Sequence, residues 1–127
     1  MNLIETLKIE HQQILALFDQ IDKTPDLIKE KDLVKNLVDI TTQHLNKEDT
    51  LLYPAISQSK NEETKQTGLV FSSTMPDYVS GFTKVVTDIL NTDKITPELL
   101  SQYQKIRDKI KNRITVEETI LFPSFEL

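Results

Sequence analysis

The chain has 127 residues, no cysteine, and a net charge of −5 from 15 Lys and Arg against 20 Asp and Glu. That length can bury one core without disulfides, and residues 1–127 are read as a single domain. The missing thiols exclude iron–sulfur clusters, thiolate zinc sites and cysteine catalysis, and the acidic balance argues against nucleic acid as a partner. No apolar run approaches the roughly 18 residues needed to cross a bilayer, so no membrane is expected. The N-terminal segment LIETLKIEHQQIL is amphipathic, with no basic start and no continuous apolar stretch. A signal peptide is therefore not expected, and a cytoplasmic location is.

The apolar spacing is helical almost throughout. Helix one carries Ile4, Leu7, His11, Ile14, Phe18 and Ile21 on one face and stops near Thr24-Pro25. The same Thr-Pro pair is expected to open helix two, threonine as N-cap and proline in the first turn. Helix two presents Leu27, Val34, Leu37, Thr41, His44, Glu48, Leu51 and Ala55, and Pro54 should end or bend it. Residues 57–74 are the weakest stretch and read as a long connection. Helix three is expected from Pro76-Asp77, with Val79, Phe82, Val86 and Ile89 facing in. Thr96-Pro97 opens helix four, which carries Leu99, Tyr103, Ile106, Ile110, Arg113, Glu117 and Ile120. Four helices of about 20 residues with mostly short connections predict an all-α, antiparallel up-down-up-down four-helix bundle.

Two segments repeat each other. Residues 44–54 read HLNKEDTLLYP and residues 113–123 read RITVEETILFP, aligning without a gap. Together with the two Thr-Pro starts they suggest an old duplication. Each copy places a charged residue one turn before a carboxylate on the same helix face, His44 before Glu48 and Arg113 before Glu117. With His11, these are the polar residues that fall on the apolar stripes. Each alone has a plain structural reading, as a hydrogen-bonded core histidine, a helical pair or a salt bridge. Together they point to a metal site, because buried carboxylates are costly unless paired or bound to a cation.

The HxxxE segment with its Leu-Tyr-Pro ending, its late repeat with Glu-Glu and Leu-Phe-Pro, and Glu-His-Gln-x-Ile in helix one resemble the hemerythrin and HHE cation-binding family. The resemblance implies a bundle around a carboxylate-bridged iron pair. On it, His11 and His44 would bind one iron, Glu48 and Glu117 would bridge, and the second iron would need histidines in helix three and at residue 113. Here residue 113 is arginine, and helix three has no histidine; Val79 takes the place matching His11, with Met75 and Tyr78 as its inward neighbours. Tyr78 is the one candidate substitute ligand.

The implied reading is a single ion held by His11, His44, Glu48 and Glu117, with Arg113 donating to Glu48 or Glu117 in place of the second ion. Iron is the expected metal, as one ion rather than two, and zinc or manganese suit the same donors. Oxygen, nitric oxide or iron sensing or handling is the matching role. The alternatives are a metal-free interaction module in which Arg113 pairs with the two carboxylates, a diiron oxygen binder, and an enzyme using open metal positions. No general acid or nucleophile motif supports the last. Phe125 and Leu127 are apolar and could dock on the bundle end or on a second subunit.

Overall fold

A computed structural model of the protein describes residues 2–126. Helix α1 (Leu3–Asp22) starts on Asn2, whose side chain accepts from the Glu5 amide at 2.9 Å. Helix α2 (Lys31–Lys47) passes without a break into a π-helical turn, Glu48–Leu52, and then into α3 (Tyr53–Ser57). Helix α4 (Glu62–Asn91) is the longest, and α5 (Pro97–Val116) repeats the pattern of α2 with a second π turn, Glu117–Leu121, leading into α6 (Phe122–Glu126). Four rods result. α1 packs on α2, α2 on α4, α4 on α5 and α5 on α1, closing the expected all-α bundle.

Three boundaries differ from the sequence expectation, each for a local reason. Thr24 does not cap helix two; its hydroxyl donates back to the Gln20 carbonyl at 2.9 Å and closes α1. The Asp26 side chain takes the Ile28 amide at 3.1 Å, an Asx turn that competes with helix, so α2 begins only at Lys31. Residues 57–74 are mostly helix rather than a connection. Asn61 caps α4 by accepting from the Thr64 amide at 3.2 Å, and Glu62 and Glu63 suit the positive end of the helix dipole. Pro76 lies inside α4 instead of starting it. Carbonyls in the turn before it gain side-chain donors: Val70 from Ser73 and Thr74, and Phe71 from Thr74 and Arg113. The Thr96-Pro97 start is found where expected, Thr96 accepting from the Leu99 amide at 3.1 Å.

Pro54 and Pro123 neither end nor sharply break their helices. A proline ring would clash with the carbonyl four residues back, and the wider π turn before each proline relieves that. In both turns the amide of the closing residue reaches five residues back, Tyr53 to Glu48 and Phe122 to Glu117. Such a turn holds one extra residue, so the inward stripe slips by one position beyond it. Leu51, Ala55 and Ile120, expected inside, are exposed, while Leu52, Ile56 and Leu121 are buried.

Two apolar cores stack along the bundle. One, near the 23–30 and 92–96 connections, is built on Phe18, Leu37, Phe82 and Ile106. The other, at the end of the π turns, holds Leu7, Leu52, Phe71, Leu121 and Phe122. Phe125 packs against the second core, which is the bundle-end alternative of the two; Leu127 lies outside the described residues. Gly68 lets α3 approach α4 closely, since a Cβ there would collide with Ile56. Among the described residues, no helix is long and apolar enough to cross a membrane. Between the two cores lies a layer of buried polar side chains.

Candidate metal centre

α1 delivers His11, α2 delivers His44, and the two π turns deliver Glu48 and Glu117 from their first residues. All four are buried, at 0, 2, 1 and 1 % exposure respectively. The imidazole rings are 4.6 Å apart, centroid to centroid. One ligand atom each from His11, His44 and Glu117 lie within 4.8 Å of one another, close enough to surround one ion. Glu48 is not part of that group of three; its Oε1 lies 2.9 Å from His44 Nε2.

The two imidazoles are held alike. His11 Nδ1 lies 2.7 Å from Glu118 Oε2, and its Nε2 lies 3.1 Å from Glu117 Oε1. His44 Nδ1 lies 3.0 Å from Glu10 Oε1, while its Nε2 faces Glu48. A carboxylate on Nδ1 makes that nitrogen the protonated one, and the tautomer leaves Nε2 with its lone pair. Glu10 is further fixed by an ion pair with Lys47. Phe122 stacks on the His11 ring, with centroids 5.6 Å apart and planes 9° from parallel.

These orientations leave a surplus of electron pairs. His44 Nε2 stands 2.9 Å from a carboxylate oxygen without hydrogen-bond alignment, and Glu48 Oε2 and Glu117 Oε2 are buried with no partner. Burial lowers the His44 pKa, against the pull of Glu117 and Glu10, so its ring is neutral at physiological pH. Burial, and then the charge of Glu48, pushes Glu117 up to about 8. Glu48 is also raised, again chiefly by burial. Two carboxylates this close retain a proton between them unless a cation replaces it. The lone pair of a neutral His44 and orphaned carboxylate oxygens in one buried cluster fit a divalent metal.

Arg113 is buried, but it does not donate to Glu48 or Glu117 as expected. Its Nη2 donates to the Tyr53 hydroxyl at 2.8 Å and to the Phe71 carbonyl at 2.7 Å, and its Nη1 donates to Thr74 Oγ1 at 2.9 Å. The guanidinium also lies over the rings of Phe71 and Tyr78, at 4.8 and 4.6 Å from their centroids. Carbonyl, hydroxyl and ring faces around α4 outcompete the carboxylates for its fork of donors. Its charge still acts on Glu48 through space, opposing the effect of burial.

Tyr78, the substitute ligand of the sequence reading, is instead a half-buried face for the arginine. Met75 belongs to the apolar core and does not line the cavity beside the ligands. Val79, matched to His11 by the stripe comparison, is 39 % exposed. Sequence reasoning missed Glu10, Glu118 and Tyr53. Glu118 had a signal in the doubled acid of the second copy, and Glu10 in its place beside His11; Tyr53 had been read only as the start of a helix ending.

A family model, the hemerythrin HHE cation binding domain, matches residues 2–125, nearly the whole chain. No curated protein and no solved structure matches it. The chain belongs to the hemerythrin HHE cation-binding family.

Proposed function

We propose that this member of the hemerythrin HHE family binds one metal ion through His11, His44, Glu48 and Glu117, and that Arg113 takes the place of a second ion. The observation that carries the reading is the opposed pair His44 Nε2 and Glu48 Oε1, 2.9 Å apart and out of hydrogen-bond alignment. A lone pair facing a carboxylate is repulsive until a proton or a cation lies between them. Glu10 and Glu118, each on the far nitrogen of an imidazole, supply the orientation and basicity that metal-bound histidines need. Iron is the metal the family implies, and two imidazoles with two carboxylates also accept zinc or manganese.

A bound ion would supply a redox or Lewis-acid centre, and the protein contributes its ligands, their tautomers and a dry surround. Arg113 brings a fixed charge to the neighbouring position and carries no lone pair with which to bind an ion. Nor does α4 offer an imidazole, since the only histidines in the chain are His11 and His44. Pairwise two-electron chemistry at two irons therefore lacks its second ligand set, and the reading is metal-dependent sensing or iron handling rather than oxygen carriage.

Elemental analysis of protein loaded anaerobically with ferrous iron tests this. One ion per chain, lost in His44→Ala with helix content retained, is the expected result. Two ions per chain would favour a diiron centre. None would leave a metal-free interaction module in this fold.

A further inference from the structure

His44, Glu48 and Glu117 line a small cavity of about 20 Å³. Outside it, between α2 and α4, runs a surface groove of about 480 Å³. Leu45 lines both, and no other residue does. Much of the remaining partition is one residue thick. Thr41, Glu48 and Tyr78 line the cavity, while their chain neighbours Thr42, Asp49 and Val79 line the groove. Successive helical residues point about 100° apart, so each of these pairs straddles the wall.

Leu45 is half-buried and packs against the second core. Elsewhere the ligands are held more firmly. Outside His44 stands the Glu10–Lys47 ion pair, and His11 has Glu118 on one nitrogen and Phe122 stacked on its ring. Displacing those groups breaks charged contacts, whereas turning Leu45 to another rotamer breaks only van der Waals contacts. The groove also suits a cation. Asp49 is its only charged residue, and it makes no ion pair among the described residues. Ser72 is on the α4 wall, and its carbonyl lacks the usual helical donor because Pro76 follows four residues later. Carboxylate and carbonyl oxygens are the donors that a hydrated divalent ion meets favourably.

We propose that the metal ion reaches its ligands from the α2–α4 groove, and that Leu45 is the gate between groove and site. The inference rests on the metal reading above and adds the route by which the site is filled. A gate acts on the barrier, so it changes entry and exit alike and leaves affinity where it is.

The test is stopped-flow loading of the metal-free full chain with cobalt(II), and its removal by excess chelator, both followed by the visible d–d bands. Leu45→Ala should speed loading and removal about tenfold at unchanged affinity, and Leu45→Phe should slow both. Ile114 is the counterpart of Leu45 in the repeat, and it lines the cavity but not the groove. Ile114→Ala should therefore keep the wild-type rates. Equal acceleration by Ile114→Ala would mean that any loosening of the core speeds entry, and the route would fall. Wild-type rates in both Leu45 variants, with cobalt bound, would overturn the gate alone. Absence of cobalt bands in the wild type would overturn the metal reading, and the route with it.

Discussion

The two copies of the repeated segment share a backbone and differ in chemistry. Each ends its long helix in a π turn that starts on a buried glutamate and closes just before a proline. One turn before that glutamate, the first copy has His44 and the second has Arg113. The aromatic residues before the prolines, Tyr53 and Phe122, are sorted in a crossed manner. The Tyr53 hydroxyl of the first copy accepts from Arg113 of the second. Phe122 of the second copy, with no hydroxyl, stacks on His11. The difference teaches that one backbone frame carries two chemistries: where the first copy has an imidazole, the second has a cation with partners of its own.

The largest expected effect comes from removing that cation. Arg113→Met keeps the apolar stem but removes the donors to the Tyr53 hydroxyl, to the Phe71 carbonyl and to Thr74 Oγ1, which still donates to Val70 and Phe71. It also takes a positive charge away from Glu48. We expect a loss of about 3–5 kcal/mol in urea unfolding of the metal-free protein. A loss below about 1 kcal/mol would mean the second half-site is filler. Arg113→His should lower stability too and leave iron at one per chain, because no helix-α4 imidazole is added; uptake of a second ion would break the contrast between the copies.

Next in size is the shell around the imidazoles. Glu10→Gln leaves the shape and removes the charge that orients His44, and metal affinity should fall about 10- to 100-fold. Glu118→Gln should do the same through His11, whereas Asp49→Asn, at the matching but exposed place in the first copy, should change nothing. Competition with a chelator reads all three.

The acid-linked effect accumulates over several pH units and has a definite sign. Glu117 has a folded pKa of about 8 against an ordinary 4.5. Between those values the folded chain keeps a proton that the unfolded chain has released, so metal-free stability falls as pH rises through that window. A metal that displaces this proton gains affinity over the same window, about tenfold per pH unit, and levels off above about 8. His44 acts oppositely on stability: its lowered pKa means the unfolded chain gains a proton first as pH falls below 6.5. Glu117→Gln should flatten the affinity profile; an unchanged slope would assign the proton elsewhere.

Much of this was legible in the sequence, and what was missed has physical causes. Helix one was readable because nothing interrupts its three–four spacing, and all six stripe residues are buried. The stripes of α2 and α5 were readable only as far as Glu48 and Glu117. Beyond them the π turns add a residue, and spacing alone does not announce that, although the repeated proline does. Helix α4 was read short because Gly68, Pro76 and a polar start weaken its pattern, while its support comes from Asn61 and from Arg113 across the bundle. The same blindness to cross-bundle bonds put Arg113 on the carboxylates. Its true partners, the Tyr53 hydroxyl and the Phe71 carbonyl, become neighbours only once α3 and α4 are in place.

The smallest effect tests the crossed sorting itself. Tyr53→Phe makes the first copy match the second at this position and removes one acceptor from Arg113 Nη2, which keeps the Phe71 carbonyl at 2.7 Å. The cost should be about 1 kcal/mol, the net value of one hydrogen bond to a charged group that retains another partner. Phe122→Tyr is the reverse change, and it places a hydroxyl on the fully buried ring stacked on His11. Burying a hydroxyl at this position should cost more, about 1–3 kcal/mol. Tyr53 serves Arg113 and also eases the ionisation of Glu48, whereas Phe122 stacks on His11, so Tyr53→Phe should lower metal affinity less than Phe122→Tyr. If both changes moved metal affinity equally, the division of the site into a metal half and an arginine half would be wrong.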